Sequence, residues 1–315
     1  MNIRQCVYFI NIILSFVVSA NCFAIDSLAI SVVDDKNNTI TLKSPAQRVI
    51  TLAPSLTEMV FTVGAEAKLV ATVKSSNFPE SAKKIARIGD YEKFNMETLL
   101  SYKPDLVLAW SSGNNSQQVE RIKRFNIPVY MIEPRQLKDI AKTLRNIGIL
   151  LGSSLQANLS AYKFEKRLLK ITVANKNKTR LRTFYQIWHD PIYTINGEHV
   201  ISRIMQICGL DNIFHNARIL APNVTQEAVI DKNPQVIIAS GMANGLSVEQ
   251  PEWLSIWKKW HDISAVANEN LFFIHPDIIN RQSTRILDGA EKMCKQADIA
   301  RKNINRNNTD KKKRD

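Results

Sequence analysis

Five histidines, His189, His199, His215, His261 and His275, are the side chains of this sequence best suited to general-base or metal-ligand work, yet they are scattered without ligand spacing. No G-x-G-x-x-G, P-loop, G-x-S-x-G or H-E-x-x-H motif occurs, so hydride, phosphoryl, acyl and zinc chemistry each lack their usual spacing. Glycine, at 10 of 315 residues, is scarce for a fold that cradles phosphates on glycine-rich loops. No pair of carboxylates can be assigned to acid–base work from spacing. The expectation is a binding protein, with a secreted enzyme as the weaker alternative.

Two cysteines carry a different kind of chemistry. Residues 1–24 begin with Arg4, continue through an apolar run from about Cys6 to Ala20, and end on Ala24. That pattern reads as a cleavable secretory signal and puts the mature chain in an oxidising compartment. A retained anchor is the alternative, although Asn11 interrupts a run already short for a membrane span. A lipoprotein signal fits poorly because Asn21 precedes Cys22. Cleavage removes Cys6 and Cys22 and leaves Cys208 and Cys294, an even pair in an oxidising compartment, for which a disulfide is expected over two free thiols.

Charge gives a second constraint. Lys and Arg number 42 against 29 acidic residues, a formal +13, which would suit nucleic acid or an anionic surface if it were clustered. Residues 301–315 hold seven basic and two acidic residues and a single apolar one, Ile304. A disordered basic tail is expected there. The rest of the surplus is dispersed, so no nucleic-acid partner is expected, and polyanion binding would rest on the tail alone.

The elements that position these residues alternate. Short apolar, β-branched runs at Val49–Leu52, Leu69–Val73, Leu106–Trp110, Val129–Ile132, Thr183–Trp188, Val236–Ala239 and Leu271–Ile274 are separated by amphipathic stretches, the pattern of parallel α/β sheets. NMETLLSYKPDLVLA at 95–109 aligns without gaps on TQEAVIDKNPQVIIA at 225–239. Each copy opens with a capping residue, Asn95 or Thr225. Each carries a first-turn glutamate, Glu97 or Glu227, which complements the helix dipole. Two α/β lobes are the economical reading. Between them, Leu137, Ile140, Leu144, Ile147, Leu151, Leu155 and Leu159 recur at three- and four-residue steps. They predict one long helix over 136–172 with one apolar face, open to a break near Gly152–Ser154. The expected boundaries are a signal at 1–24, lobes at 25–135 and 173–300, the connecting helix at 136–172, and the tail at 301–315.

Residues 48–65, 75–130, 185–197, 207–219 and 224–241, including the A-W-x-x-G-N-x-x-x-Q-V stretch at 109–119, resemble the helical-backbone class of substrate-binding proteins that serve ABC importers. Within that class they resemble its cobalamin-binding members, over roughly residues 46–298. The resemblance implies an α/β fold of two Rossmann-like lobes with parallel sheets, joined by a long backbone helix, with the ligand cleft between the lobes. It implies a monomer with no resident cofactor, cobalamin as transported ligand, and an ABC permease as partner.

A corrin is a broad apolar disc fringed with amides, so aromatic faces and polar rim groups suit it. The resemblance places Phe78, Tyr91 and Trp110 in ligand positions of the first lobe, with Ser76 and Gly113 allowing close approach. In the second lobe it places Trp188, Tyr193, Asp277 and Arg281. It also implies that Glu97 and Glu227 dock on permease arginines, a role compatible with capping, and that Cys208 pairs with Cys294. The chain departs from the pattern at Leu220-Ala221-Pro222 and at Ile278 and Ile279, where aromatics are common in the class. The alternative ligands are haem, with Tyr91, Tyr193 or His189 as axial candidates, and a ferric siderophore.

Overall fold

The computed structural model describes residues 29–241 and 252–312. The expected signal at 1–24 lies outside the described residues. In chain order the strands are β1 (Ile30–Val33), β2 (Thr39–Leu42), β3 (Val49–Thr51), β4 (Leu69–Ala71), β5 (Leu106–Trp110), β6 (Val129–Ile132), β7 (Leu181–Gln186), β8 (Trp188–His189), β9 (Ile192–Tyr193), β10 (Leu210–Asn212), β11 (Val236–Ala239) and β12 (Leu271–Phe273). The α-helices are α1 (Pro54–Thr62), α2 (Met96–Ser101), α3 (Ser116–Arg124), α4 (Leu137–Leu151), α5 (Ser154–Asn175), α6 (Val200–Ile207), α7 (Gln226–Asp231), α8 (Ser264–Ala267), α9 (Pro276–Ile279) and α10 (Ile286–Lys312).

All seven expected strands form, because fully buried parallel strands read as continuous apolar runs. They build two four-stranded parallel sheets, β4-β3-β5-β6 and β10-β7-β11-β12. In both, the strand first in sequence sits second in the sheet, between the second and third strands of its lobe. The internal repeat is therefore a repeat of topology, and the two α/β lobes are those expected. Within the repeat, Asn95 Oδ1 accepts the Thr98 N–H at 2.9 Å and Thr225 Oγ1 accepts the Ala228 N–H at 3.2 Å, so both residues cap as their types predict. The small antiparallel pairs β1–β2 and β8–β9 and the short β10 carried too little pattern to be expected.

The connector differs from the expected single helix. Gly152 adopts a left-handed conformation at φ +67° and ends α4, as a glycine C-cap does. The chain then reverses, and α5 packs back along α4 with Arg145 holding Glu165 through two bonds of 2.7 and 2.8 Å. The second arm, α5, is the backbone helix and touches α1 of the first lobe and α6 and α10 of the second. Leu155 and Leu159, expected on the buried face, are exposed. Their spacing continues that of α4, but the reversal turns it outward.

The C-terminal expectation also changes. Residues 301–312 continue α10 instead of forming a disordered tail. Arg301 donates to the carbonyls of Thr179 and Cys208 at 2.8 and 2.6 Å, and Asn303 and Asn307 bond Asn270 and Asn268, each at 3.0 Å. Polar side chains thus anchor the last turns of α10, where Ile304 is the only apolar residue. The Cys208–Cys294 disulfide is present and joins the end of α6 to α10 across a separation of 86 residues. Closing a loop of that length is worth about 4.5 kcal/mol in the chain-entropy view.

Candidate functional site

In open parallel sheets the carboxyl ends of the strands are where ligands bind, and here both sheets turn those ends toward one cavity. Ala53, Pro54 and Ser55 follow β3, Trp110 ends β5, Ile187 follows β7, and Pro276 starts the helix after β12. The cavity between the lobes measures about 450 Å³, within the roughly 300–1,000 Å³ common for small-molecule sites. The first lobe supplies the aromatic wall, with the Tyr91 and Trp110 rings 5.8 Å apart and inclined at 48°. The second supplies an aliphatic wall of Ile187, Ile201, Ile219, Leu220 and Ala221. The segment around Leu220 therefore lines the site without an aromatic ring.

Asn114 holds the aromatic wall in place. Its Oδ1 accepts the Trp110 N–H at 2.6 Å, and its Nδ2 donates to the carbonyls of Leu52 and Tyr91 at 2.8 and 2.6 Å. Sequence reasoning missed this residue although it lies inside the A-W-x-x-G-N stretch. Gly113 serves Trp110 directly, since a Cβ there would stand 1.9 Å from the indole. Gly113→Ala is thus expected to displace the ring, weakening ligand binding several-fold while urea melts stay within about 1 kcal/mol of wild type; unchanged affinity would show that the indole position does not matter.

The other expected site residues are placed as follows. Arg281 lines the cavity, but its guanidinium is spent between the lobes. It donates to Glu58 at 2.8 Å, Asn77 at 2.7 Å, the Ser75 carbonyl at 3.0 Å and Asp277 at 2.6 Å. Asp277 does not line the cavity; it completes this tie and accepts from Asn77 at 3.2 Å. Ser76 is buried in a hydroxyl cluster with Thr57 and Thr72, and its neighbour Ser75, in the left-handed region, forms the wall. Phe78 lies outside the cavity under the Arg285 guanidinium, 3.9 Å from its ring centroid. Trp188 and Tyr193 face each other across the β8–β9 pair just beyond Ile187 and do not line the cavity. Glu97 and Glu227 are exposed on the first turns of α2 and α7.

The indole Nε1 of Trp110 and Nε of Arg281 are buried donors without a partner among the described residues, each at a cost in free energy. His199 caps α6, its Nδ1 accepting the Ile201 N–H at 3.2 Å, which leaves Nε2 as its donor nitrogen in the neutral ring. Burial, assisted by the Arg135 charge, pushes His199 down to about 4. An unfolded histidine titrates near 6.5, about the ordinary value. Between these values the unfolded chain binds more protons, so stability is fully present above the higher value and falls as pH drops toward the lower. Urea midpoints measured across that window should decline in wild type and decline less in His199→Asn, which keeps a capping acceptor; equal slopes would remove His199 as the cause. Burial, with Glu92 beside it, raises the Tyr91 phenol above its ordinary range. No cluster of three or more His, Cys, Asp or Glu among the described residues is placed to hold a metal ion.

Residues 49–278 match the model of the "Periplasmic binding protein" family. The chain is 31% identical over 261 residues to a vitamin B12-binding protein of Vibrio cholerae serotype O1, covering 82% of this chain and 91% of that relative. The crystal structure of the periplasmic vitamin B12 binding protein BtuF of Vibrio cholerae superposes with a TM-score of 0.74 at 31% identity, over 82% of this chain and 99% of that one. The periplasmic heme-binding protein RhuT from Roseiflexus sp. RS-1, in apo form, superposes at 0.71 with 19% identity, over 81% and 99%. It shares the fold.

Proposed function

The chain belongs to the periplasmic binding protein family, and on that premise we propose that it captures cobalamin in the cleft between its lobes and hands it to an ABC permease. The observation that carries this reading is the wall itself: an aromatic face opposite an aliphatic one. A corrin offers a flat apolar ring to such walls. The similarity to vitamin B12-binding relatives points the same way. Binding is non-covalent and leaves the ligand unchanged. A corrinoid is larger than a cavity of about 450 Å³, so the lobes part to admit it or its edge projects into solvent.

Haem fits less well. Of the three axial candidates only Tyr91 lines the cavity, and its raised phenol disfavours the phenolate that would bind iron. His199 also lines it, but in the neutral ring the free nitrogen carries the proton while Nδ1 is held by the cap. Absorbance titration of the exported protein with cyanocobalamin, haemin and a ferric catecholate separates these readings. Saturable perturbation of the corrin bands is expected, and a new Soret band without corrin binding would overturn the assignment.

Glu97 and Glu227 occupy matching places in the two lobes, and charge-assisted pairs at two separated points would fix the orientation on a permease. The Glu97→Ala, Glu227→Ala double variant is expected to keep wild-type cobalamin affinity and lose most permease-dependent uptake. Uptake at the wild-type rate would leave both residues as caps alone. The leader at 1–24 supports export to the periplasm, checked by N-terminal sequencing of the exported protein.

A further inference from the structure

Helix α5 has two apolar faces. Ala157, Ala161, Phe164 and Ile171 are buried on one, while Leu155, Leu159, Tyr162, Leu169 and Val173 are 78, 49, 60, 63 and 66% exposed. At about 100° per residue, the exposed set falls within about 40° of a single line roughly opposite the buried set. A surface helix ordinarily needs one apolar stripe, the one facing the core. The second is an exposed patch on the order of several hundred Å², a size that marks interaction surfaces.

The charges around the stripe identify what would cover it. Lys166 lies within the stripe, and Lys163 and Lys170 flank it on one side; all three are exposed and form no ion pair among the described residues. The neighbouring carboxylates are already engaged, Glu165 by Arg145, Asp288 and Glu291 by Arg167, and Asp298 by Lys178 and Arg301. Pairing the stripe with a second copy across a two-fold axis would bring lysine fringes together with no free acid to offset them. An anionic bilayer offers both partners at once, an acyl boundary for the apolar side chains and phosphates for ammonium groups at the ends of extended stems. No described helix is long and apolar enough to cross a membrane.

We propose that the outer face of α5 docks this protein peripherally on an anionic lipid surface, the helix lying in the headgroup plane. No α5 residue lines the cavity, so this contact leaves the cleft unobstructed, and the proposal stands independently of which ligand the cleft holds. The test is co-sedimentation of the exported protein with vesicles of phosphatidylglycerol and phosphatidylcholine, compared with phosphatidylcholine alone. Retention on anionic vesicles only, weakened by salt, is expected. It should fall several-fold in the Leu155→Ser, Leu169→Ser variant and in the Lys163→Gln, Lys166→Gln, Lys170→Gln variant, each retaining the wild-type melting temperature within a few degrees. Absence of retention, equal retention on neutral vesicles, or retention unaffected by these substitutions would overturn the proposal. So would a dimer in sedimentation velocity that the leucine substitutions dissolve.

Discussion

Arg281→Ala is expected to lower the unfolding free energy by about 3–5 kcal/mol, the cost of leaving a buried charge without its partner. Arg281 and Glu58 have side-chain exposures of only 6% and 2% and meet at 2.8 Å. Glu58 is on α1 of the first lobe, and Arg281 follows α9 of the second. Arg285, 3.1 Å from the same carboxylate, and the Ser283 hydroxyl remain after the substitution, which places the result toward the lower end of that range. Urea unfolding with an unchanged slope would report the loss as stability. Adding Glu58→Ala should cost less than the sum of the single changes, because the stranded charge is then gone. A change under about 1 kcal/mol for Arg281→Ala would mean that the tie between the lobes contributes little. Where the lobes part to admit a corrinoid, the same tie opposes that opening, and the variant should take up ligand faster than wild type; an unchanged uptake rate would favour a ligand whose edge projects into solvent.

Trp110→Ala should weaken cobalamin binding by about 1–3 kcal/mol, or roughly five- to 150-fold. The indole is fixed by Gly113 behind it and Asn114 on its backbone, so the ring is pre-ordered and little entropy is lost when a ligand stacks on it. Trp110→Phe keeps a smaller ring and should fall between wild type and alanine. Affinity unchanged in Trp110→Ala would remove the residue from the site.

The lobes were legible in the sequence because buried parallel strands are written as β-branched runs and because the two copies at 95–109 and 225–239 align. The α4–α5 hairpin was harder to read. Leu155 and Leu159 continue the spacing of Leu144, Ile147 and Leu151, and periodicity cannot distinguish an apolar face turned to the core from one turned outward. Residues 301–312 have a disordered composition, but their helix is held by side-chain hydrogen bonds that composition does not record.

At the site, Tyr91 and Trp110 were legible by resemblance, whereas the roles of Asn114 and Ser75 depend on backbone geometry. Arg281 was legible as a charged residue near the cleft. Its main partner, Glu58, is 223 residues away in the middle of α1, and nothing in the sequence couples the two. Phe78 and Asp277 likewise join contacts between the lobes, and neither lines the cavity.

Calorimetric titration of the exported protein with cyanocobalamin is the most direct test of the central claim. Saturation at one ligand per chain, weakened roughly five- to 150-fold in Trp110→Ala and undisturbed by excess haemin, is the predicted result; absence of saturable heat with cyanocobalamin, alongside saturable binding of haemin or a ferric catecholate, would contradict it.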